Sequence, residues 1–305
     1  MSDALKISVV ICTYNRAAYI FDAMDSLYKQ TLARDSYEVI VVNNNSSDTT
    51  QAVCESFITS HNDAQFYYFN ETEQGASFAR NTGATHVQSP LLCFMDDDAV
   101  ADADYLERIV NFFEEHPDAG GLGGRIIPKY IPAEPKWMSH YVSSLVGHFH
   151  YSDTATVFQT GKYPLESNMI IRKKDFDAVG GFNNALPGVV GTLRIGGEGK
   201  DFFLKLQALG KTIYYDPAIR VHHVVETAKL THQYMYRVAS GIGRGERVRM
   251  KQKGSFAFYQ KIGEYIFKLG ASAVLGIKYT LQGAPAKAAP VIRFRIDALK
   301  GLLNH

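Results

Sequence analysis

The chain has 305 residues, 46% of them hydrophobic and 21% charged, with a formal net charge of +1. That composition belongs to a folded globular protein, long enough for two domains or for one large α/β domain with additions. A charge so near zero excludes a global basic field for nucleic acid, which is therefore not an expected partner. Cys12, Cys54 and Cys93 sit in apolar segments without paired spacing, which predicts reduced, buried thiols in a reducing compartment. MSDALKISVV has neither a basic n-region nor a long apolar h-region, so it does not read as a signal peptide. The apolar run YIFKLGASAVLGIKYTL is broken by Lys268 and Lys278, short of the roughly 18 uncharged residues of a membrane span. The expected location is cytoplasmic, with a peripheral place on the membrane face left open.

In chain order, ISVVICTY (7–14) is a continuous apolar run and reads as a buried parallel strand. Ile20, Ala23, Met24, Leu27 and Tyr28 then repeat at helical spacing. YEVIVV (37–42) reads as a second buried strand, and Asp48 or Ser47 can cap a helix carrying Val53 and Phe57. AQFYYFN (64–70) is the third strand, a helix runs through Phe78, Ala79 and Ala84, and LLCFM (91–95) is the fourth strand. This alternation means βαβ units with right-handed crossovers. GGLGGRIIPKYIPAEPKWM reads as an irregular crossing segment, because Gly and Pro dominate it. ESNMIIRKKDFDAVGGF reads as strand, short helix and turn, and LPGVVGTLRIGGEG as a Gly-rich loop. DFFLKLQALG is a short amphipathic helix stopped by Gly210, and TIYYDPAIRVHHVV is a strand. From about residue 227 the pattern is helical and more basic.

Parallel α/β sheets bind ligands outside the carboxyl ends of their strands. Four polar clusters fall at or just beyond such ends: Thr13-Tyr14-Asn15-Arg16, Asn43-Asn44-Asn45, Arg80-Asn81 and Asp96-Asp97-Asp98. Strand alternation sets Asp96 and Asp98 on one face and Asp97 on the other. Two carboxylates on one face repel unless a cation lies between them, and oxygen ligands suit Mg²⁺ or Mn²⁺. A solvated acidic turn before the helix of Tyr105, Leu106 and Ile109 is the plainer alternative, although Asp102 or Asp104 already offers that helix a cap. In VHHV only one of His222 and His223 can face the site. Imidazole is an acceptable ligand for Mn²⁺ beside carboxylates, and a half-buried strand histidine is the plainer reading. Glu198 and Asp201, in GGEGKD, either complement a helix dipole or supply a general base. Trp137, the only tryptophan, is either a core residue or a platform on which a sugar ring stacks.

Taken together these segments resemble an inverting, family 2 glycosyltransferase of the GT-A fold, over about residues 7–245. VVICTYNR resembles the family's opening strand and loop, VVNNNSSDTT its second strand and turn, GASFARNTG its G-x-x-x-A-R-N-x-G helix, and FMDDDAV its D-x-D metal motif. NMIIRKKDFDAVGGF resembles the segment that helps form the acceptor side, GGEGKDFFLKLQALG the segment carrying the catalytic acid, and VHHVV the late histidine of the metal site. The resemblance implies a mixed sheet flanked by helices, a nucleotide-diphosphate sugar donor, a glycan or lipid-linked acceptor, and Mn²⁺ or Mg²⁺. It implies that Thr13, Tyr14, Asn15, Arg16, Asn43, Asn45, Arg80, Asp96 and Asp97 line the nucleotide-sugar pocket. Asp98 would ligate the metal with His223, or with His222 if the register slips, and Trp137 and Asn168 would lie on the acceptor side.

Two departures stand out. The family's usual base is an Asp directly after the Glu of its acidic segment, and here that position is Gly199. Glu198 is then the expected base, Asp201 the second choice, and a catalytically impaired homologue that binds nucleotide or glycan stays open. Asn43 stands where many members have Asp beside the base, so a uridine, GDP or dTDP donor stays open. A sugar nucleotidyltransferase would carry a Gly-rich basic loop after strand one, where this chain has TYNRAAY.

The expected domains are a transferase domain, 1–245, and a basic amphipathic helical extension, 246–305. In the extension Phe256, Phe258, Tyr259, Ile262, Tyr265 and Ile266 fit a helical apolar face, and lysines and arginines outnumber Glu264 and Asp297. Such a segment lies on anionic lipid, packs on the core, or meets a second copy of the chain in a homo-oligomer.

Overall fold

The structure is a computed structural model and describes residues 5–304. The first half contains β1 (Ile7–Thr13), α1 (Ile20–Tyr28), β2 (Tyr37–Asn43), α2 (Thr50–Ser60), β3 (Phe66–Asn70), α3 (Ala76–Thr85), β4 (Leu91–Asp96), β5 (Ala99–Ala101) and α4 (Tyr105–Glu115). There follow β6 (Ala119–Tyr130), α5 (His140–Ser143), β7 (Thr156–Val157), β8 (Asn168–Arg172), α6 (Lys173–Val179), β9 (Gly188–Val190) and β10 (Leu193–Ile195). The last elements are α7 (Glu198–Ala208), β11 (Thr212–Val225), α8 (His232–Lys253), α9 (Ser255–Leu281) and α10 (Ala288–Leu303).

The main sheet has the order β3-β2-β1-β4-β8-β6-β11-β5, with β7 also paired to β11. Strands β3, β2, β1 and β4 are parallel and β8 runs antiparallel to β4, so the sheet is mixed. The apolar runs of β1 and β2 are continuous because both faces are covered. Ile7, Val9 and Ile11 pack toward Ile20, Met24, Phe57, Leu106 and Ile109 of α1, α2 and α4. Val10 packs with Ala79 of α3, Phe176 of α6 and Phe202, Phe203 and Leu206 of α7. Register aligns the carboxyl ends: Thr13 pairs with Asn43, Asn43 with Asn70, and Cys12 with Asp96. All three cysteines are free, and burial pushes each thiol up to about 12.

Three readings of the sequence are corrected here. GGLGGRIIPKY is not irregular; it is the long strand β6. Its glycines serve close approach instead of turning: a Cβ at Gly121 would meet Phe203, at Gly123 Pro164, and at Gly124 the Ile219 carbonyl and the Asn168 amide. The Gly-rich stretch after residue 187 folds as a hairpin, with Val190 opposite Leu193 and Gly188 opposite Ile195. Neither Asp102 nor Asp104 caps α4 through its side chain; Asp104 pairs with Arg108 at 2.6 Å, and Asp102 with Arg220 at 2.7 Å.

The chain divides into two compact units. One runs through Ile127 and resumes over Phe149–Asn183 and Gly199–His223; it holds most of the sheet and its flanking helices. The other takes Pro128–His148, Asn184–Glu198 and Val224–His305, with the hairpin and the three last helices. Within that second unit α8 and α10 meet backbone to backbone, since a Cβ at Gly301 would stand 2.7 Å from the Ser240 carbonyl carbon. Among the described residues, no helix is long and apolar enough to cross a membrane.

Candidate active site

Each cluster at the carboxyl edge is shaped first by its own loop. Asn15 and Asn45 adopt positive φ, +54° and +65°, a conformation asparagine tolerates better than most residues. The Asn15 carbonyl oxygen accepts from the backbone N–H of Ser47 at 2.8 Å, joining the loop after β1 to the loop after β2. Asn43 accepts from Ser46 N–H and donates to Asn70, both at 3.1 Å. Asn44 donates to the Glu73 carbonyl and accepts from Gly75 N–H, both at 2.7 Å, which fixes the approach to α3. Asp48 accepts from Thr50 and from the backbone of Ala17. The side chains of Asn43 and Asn44 are thus occupied in building the edge, while Tyr14 and Asn45 stay exposed on it.

The aspartates close β4. Asp96 is its last residue, and a tight turn carries Asp97 and Asp98 into β5. Because β5 pairs with β11, His223 stands opposite Ala99, next to the aspartates. The His223 Nε2 lies 2.9 Å from Asp98 Oδ1 and 3.9 Å from Asp96 Oδ2. Asp97 turns to Arg16, whose Nε is 3.7 Å from its Oδ1; another Arg16 nitrogen is 3.7 Å from Asp98 Oδ2. Arg80, from α3, is 3.8 Å from Asp96 Oδ1 and lies over the Phe182 ring. Burial, and then the charge of Asp98, push the Asp97 carboxyl up to about 7, with Arg16 pulling against them.

One ligand atom each from Asp96, Asp98 and His223 lies within 4.8 Å of the others. Two carboxylates and one imidazole, two of the three buried, fit a hard or borderline divalent ion such as Mn²⁺ or Mg²⁺. His222, one residue away on β11, faces elsewhere and bonds Asp102 at 3.0 Å, so it stands outside this cluster.

Other expected site residues lie as follows. Thr13 is buried at the end of β1. Asn168 is fully buried: it accepts from the Tyr105 hydroxyl and donates to the carbonyls of Arg125 and Ile219. It therefore offers no surface to an acceptor, and its expected acceptor contact is corrected to a packing role. Trp137 is half-buried at the edge of the second unit's apolar cluster and lines a cavity of about 350 Å³ with Leu145, Leu230, Met235, Pro290 and Phe294. Glu198 and Asp201 are both buried on the first turn of α7, and Asp201 pairs with Lys205 at 2.8 Å. Two residues of the edge escaped the sequence reading. Ser167 donates to Asp96, and Glu166 accepts from Gly199 N–H at 3.1 Å. Both precede β8, whose antiparallel pairing with β4 leaves no local mark in the sequence.

Residues 8–180 match the model of glycosyl transferase family 2. The chain belongs to that family. The glucosyl-dolichyl phosphate glucuronosyltransferase of Haloferax volcanii is 24% identical over 228 residues, covering 72% of this chain and 69% of that protein. The succinoglycan biosynthesis protein ExoM of Rhizobium meliloti is 26% identical over 258 residues, 83% of this chain and 78% of that one. Among solved structures, the mannosyltransferase PcManGT from Pyrobaculum calidifontis, in complex with GDP-Man and Mn²⁺, superposes with a TM-score of 0.68 at 18% identity, covering 98% of this chain and 88% of that one. S. aureus TarS 1-349 in complex with UDP gives 0.55 at 18% identity, over 98% and 89%. The architecture of this family 2 chain, a mixed sheet flanked by helices, is that of the GT-A glycosyltransferases.

Proposed function

We propose that the protein transfers a sugar from a nucleoside diphosphate sugar to a hydroxyl of a glycan or lipid-linked saccharide, with inversion and with Mn²⁺ or Mg²⁺ as cofactor. The observation that carries this reading is the grouping of Asp96, Asp98 and His223, with Arg16 and Arg80 beside it, at the carboxyl edge of the sheet's parallel strands. Asp98 and His223 would hold the ion, and Asp96 would meet it or the ribose. When bound, the ion supplies positive charge for a diphosphate that leaves with growing negative charge. Arg16 and Arg80, beside the aspartates, would face the same charge. The loops of Thr13, Tyr14, Asn15, Asn43 and Asn45 would receive the nucleoside, with Asp97 holding Arg16. An acceptor hydroxyl attacks the anomeric carbon from the face opposite the leaving group, and a carboxylate takes its proton. Glu198 and Asp201, on α7, are the residues of GGEGKD that offer one, and Trp137 would meet the acceptor.

In this reading residues 1–245 are the transferase domain and 246–305 its extension. The exposed side chains Phe256, Tyr259, Phe267, Val274, Ile277 and Leu281 share one side of α9, and Lys251, Lys253 and Lys278 are exposed nearby. An apolar stripe with lysines supports peripheral contact with anionic lipid, where a lipid-linked acceptor would be found.

The test is a thermal-shift panel of nucleoside diphosphates with and without Mn²⁺, on wild type and Asp98→Ala. Stabilisation by one nucleotide that needs both Mn²⁺ and Asp98 is expected; equal stabilisation of both proteins would refute the metal site. A binding homologue without turnover is the second reading, motivated by Gly199. Release of nucleoside diphosphate from any donor sugar rules it out.

A further inference from the structure

Gly199 leaves a space, and Glu166 fills it. A Cβ built at Gly199 would stand 2.7 Å from both Cγ and Cδ of Glu166 and would strike its Oε1. Real Cβ atoms do not approach other heavy atoms so closely, and here the neighbour is the carboxylate itself. The Gly199 N–H donates to that same Oε1 at 3.1 Å. The volume that a side chain in the first turn of α7 would occupy therefore holds a carboxylate delivered from the segment before β8.

That segment also reaches the aspartates. In the antiparallel ladder Met95 pairs with Asn168. Continuing the ladder sets Ser167 beside Asp96, and the Ser167 hydroxyl does donate to Asp96 Oδ2. Glu166 follows one residue on and is half-buried. It thus joins the first turn of α7 to the edge that carries Asp96 and Asp98.

We infer that Glu166, instead of a residue of α7 itself, takes the acceptor's proton. The inference rests on the transfer reading above. As the acceptor oxygen bonds to the anomeric carbon, its proton passes to the Glu166 carboxylate; the bond from that carbon to the diphosphate oxygen breaks, and its electron pair leaves with the nucleoside diphosphate. Gly199 is then the residue that makes room for the relocated base.

The test compares wild type with Glu166→Gln, Glu166→Ala, Gly199→Asp and the double variant Glu166→Ala/Gly199→Asp. Nucleoside diphosphate release is measured from a panel of nucleotide sugars, with water and free saccharides as acceptors, alongside nucleoside diphosphate binding with Mn²⁺. Glu166→Gln is expected to lower kcat by about 100-fold or more while KM for the donor and nucleotide binding stay within about threefold. Gly199→Asp alone requires the Glu166 side chain to shift aside. The double variant returns a carboxylate to the same space and is expected to exceed Glu166→Ala by about tenfold or more.

Wild-type kcat in Glu166→Gln overturns the inference and leaves the transfer reading standing. So does a parallel loss of nucleotide binding and turnover, which marks Glu166 as a support for Asp96. A double variant no better than Glu166→Ala overturns it as well. A wild-type protein that consumes no donor overturns the transfer reading, and this inference with it.

Discussion

Replacing Asn168 by Ala removes three hydrogen bonds from the middle of the sheet. The Asn168 carbonyl oxygen accepts from the Tyr105 hydroxyl at 2.8 Å, and its amide donates to the carbonyls of Arg125 and Ile219, each at 3.1 Å. The side chain has no exposed surface, and it passes over Gly124, where a Cβ would stand 2.9 Å from Asn168 Cγ. The substitution takes one partner from each of two strand carbonyls and from the Tyr105 hydroxyl, which keeps its contact with Cys93 Sγ at 3.3 Å. At roughly 1–1.5 kcal/mol each, the loss is about 4 kcal/mol. Heat denaturation should then fall by about 8–15 °C, at roughly 2–4 °C per kcal/mol. Tyr105→Phe removes one of the three bonds and should cost about 1–1.5 kcal/mol. The two substitutions share that bond, so the double variant should fall short of additivity by about 1 kcal/mol. Urea unfolding of the four proteins measures all of this. If Asn168→Ala loses less than about 1 kcal/mol while transfer collapses, the packing role is wrong and an acceptor contact is right.

Three further outcomes are expected. Asp98→Ala and His223→Ala should each lower donor turnover by more than about 100-fold and abolish Mn²⁺-dependent nucleotide binding, whereas His222→Ala, which breaks only the bond to Asp102, should leave both intact; metal titration followed by nucleotide binding reads the contrast. Arg80→Ala should weaken nucleoside diphosphate binding by about tenfold, or 1.4 kcal/mol, and flatten its salt dependence, as measured by calorimetry at two ionic strengths. Phe267→Glu on α9 should reduce flotation with vesicles containing anionic lipid while leaving turnover of a soluble donor unchanged.

The parallel half of the fold was legible because burial on both faces writes itself into the sequence as unbroken apolar runs. ISVVICT and YEVIVVN could be read without context. The glycines of β6 misled for an equally physical reason. Glycine serves turns and close approach alike, and only the contacts of Gly121, Gly123 and Gly124 with Phe203, Pro164 and Asn168 decide between them. Asn168 shows the same limit. A polar residue opening an apolar strand looks like a surface group until its three partners, drawn from α4, β6 and β11, are in place. Glu166 was invisible for another reason: its meaning depends on an absence at residue 199, and no periodicity links residues 33 positions apart.

Electrostatics explains why the aspartates can be crowded at all. Asp96, Asp97 and Asp98 bring three negative charges, and Arg16 and Arg80 return two positive ones at 3.7–3.8 Å. At these separations the guanidiniums offset much of the aspartates' charge. The residual charge is at most about one negative unit, because burial and the charge of Asp98 push the Asp97 carboxyl up to about 7. A divalent ion held by Asp96, Asp98 and His223 would reverse that sign and leave the edge attractive to a diphosphate. The arginines belong to the loop after β1 and to α3, so the same groups that make the crowded aspartates tolerable would be aimed at the phosphates once the ion is shared. On this argument Arg16→Ala should do more than weaken nucleotide binding. With one compensating charge gone, the mutual repulsion of Asp97 and Asp98 should rise, and ion binding in the absence of nucleotide should become tighter. An Mn²⁺ titration of Arg16→Ala that shows affinity unchanged or weaker than wild type would refute this account of the triplet.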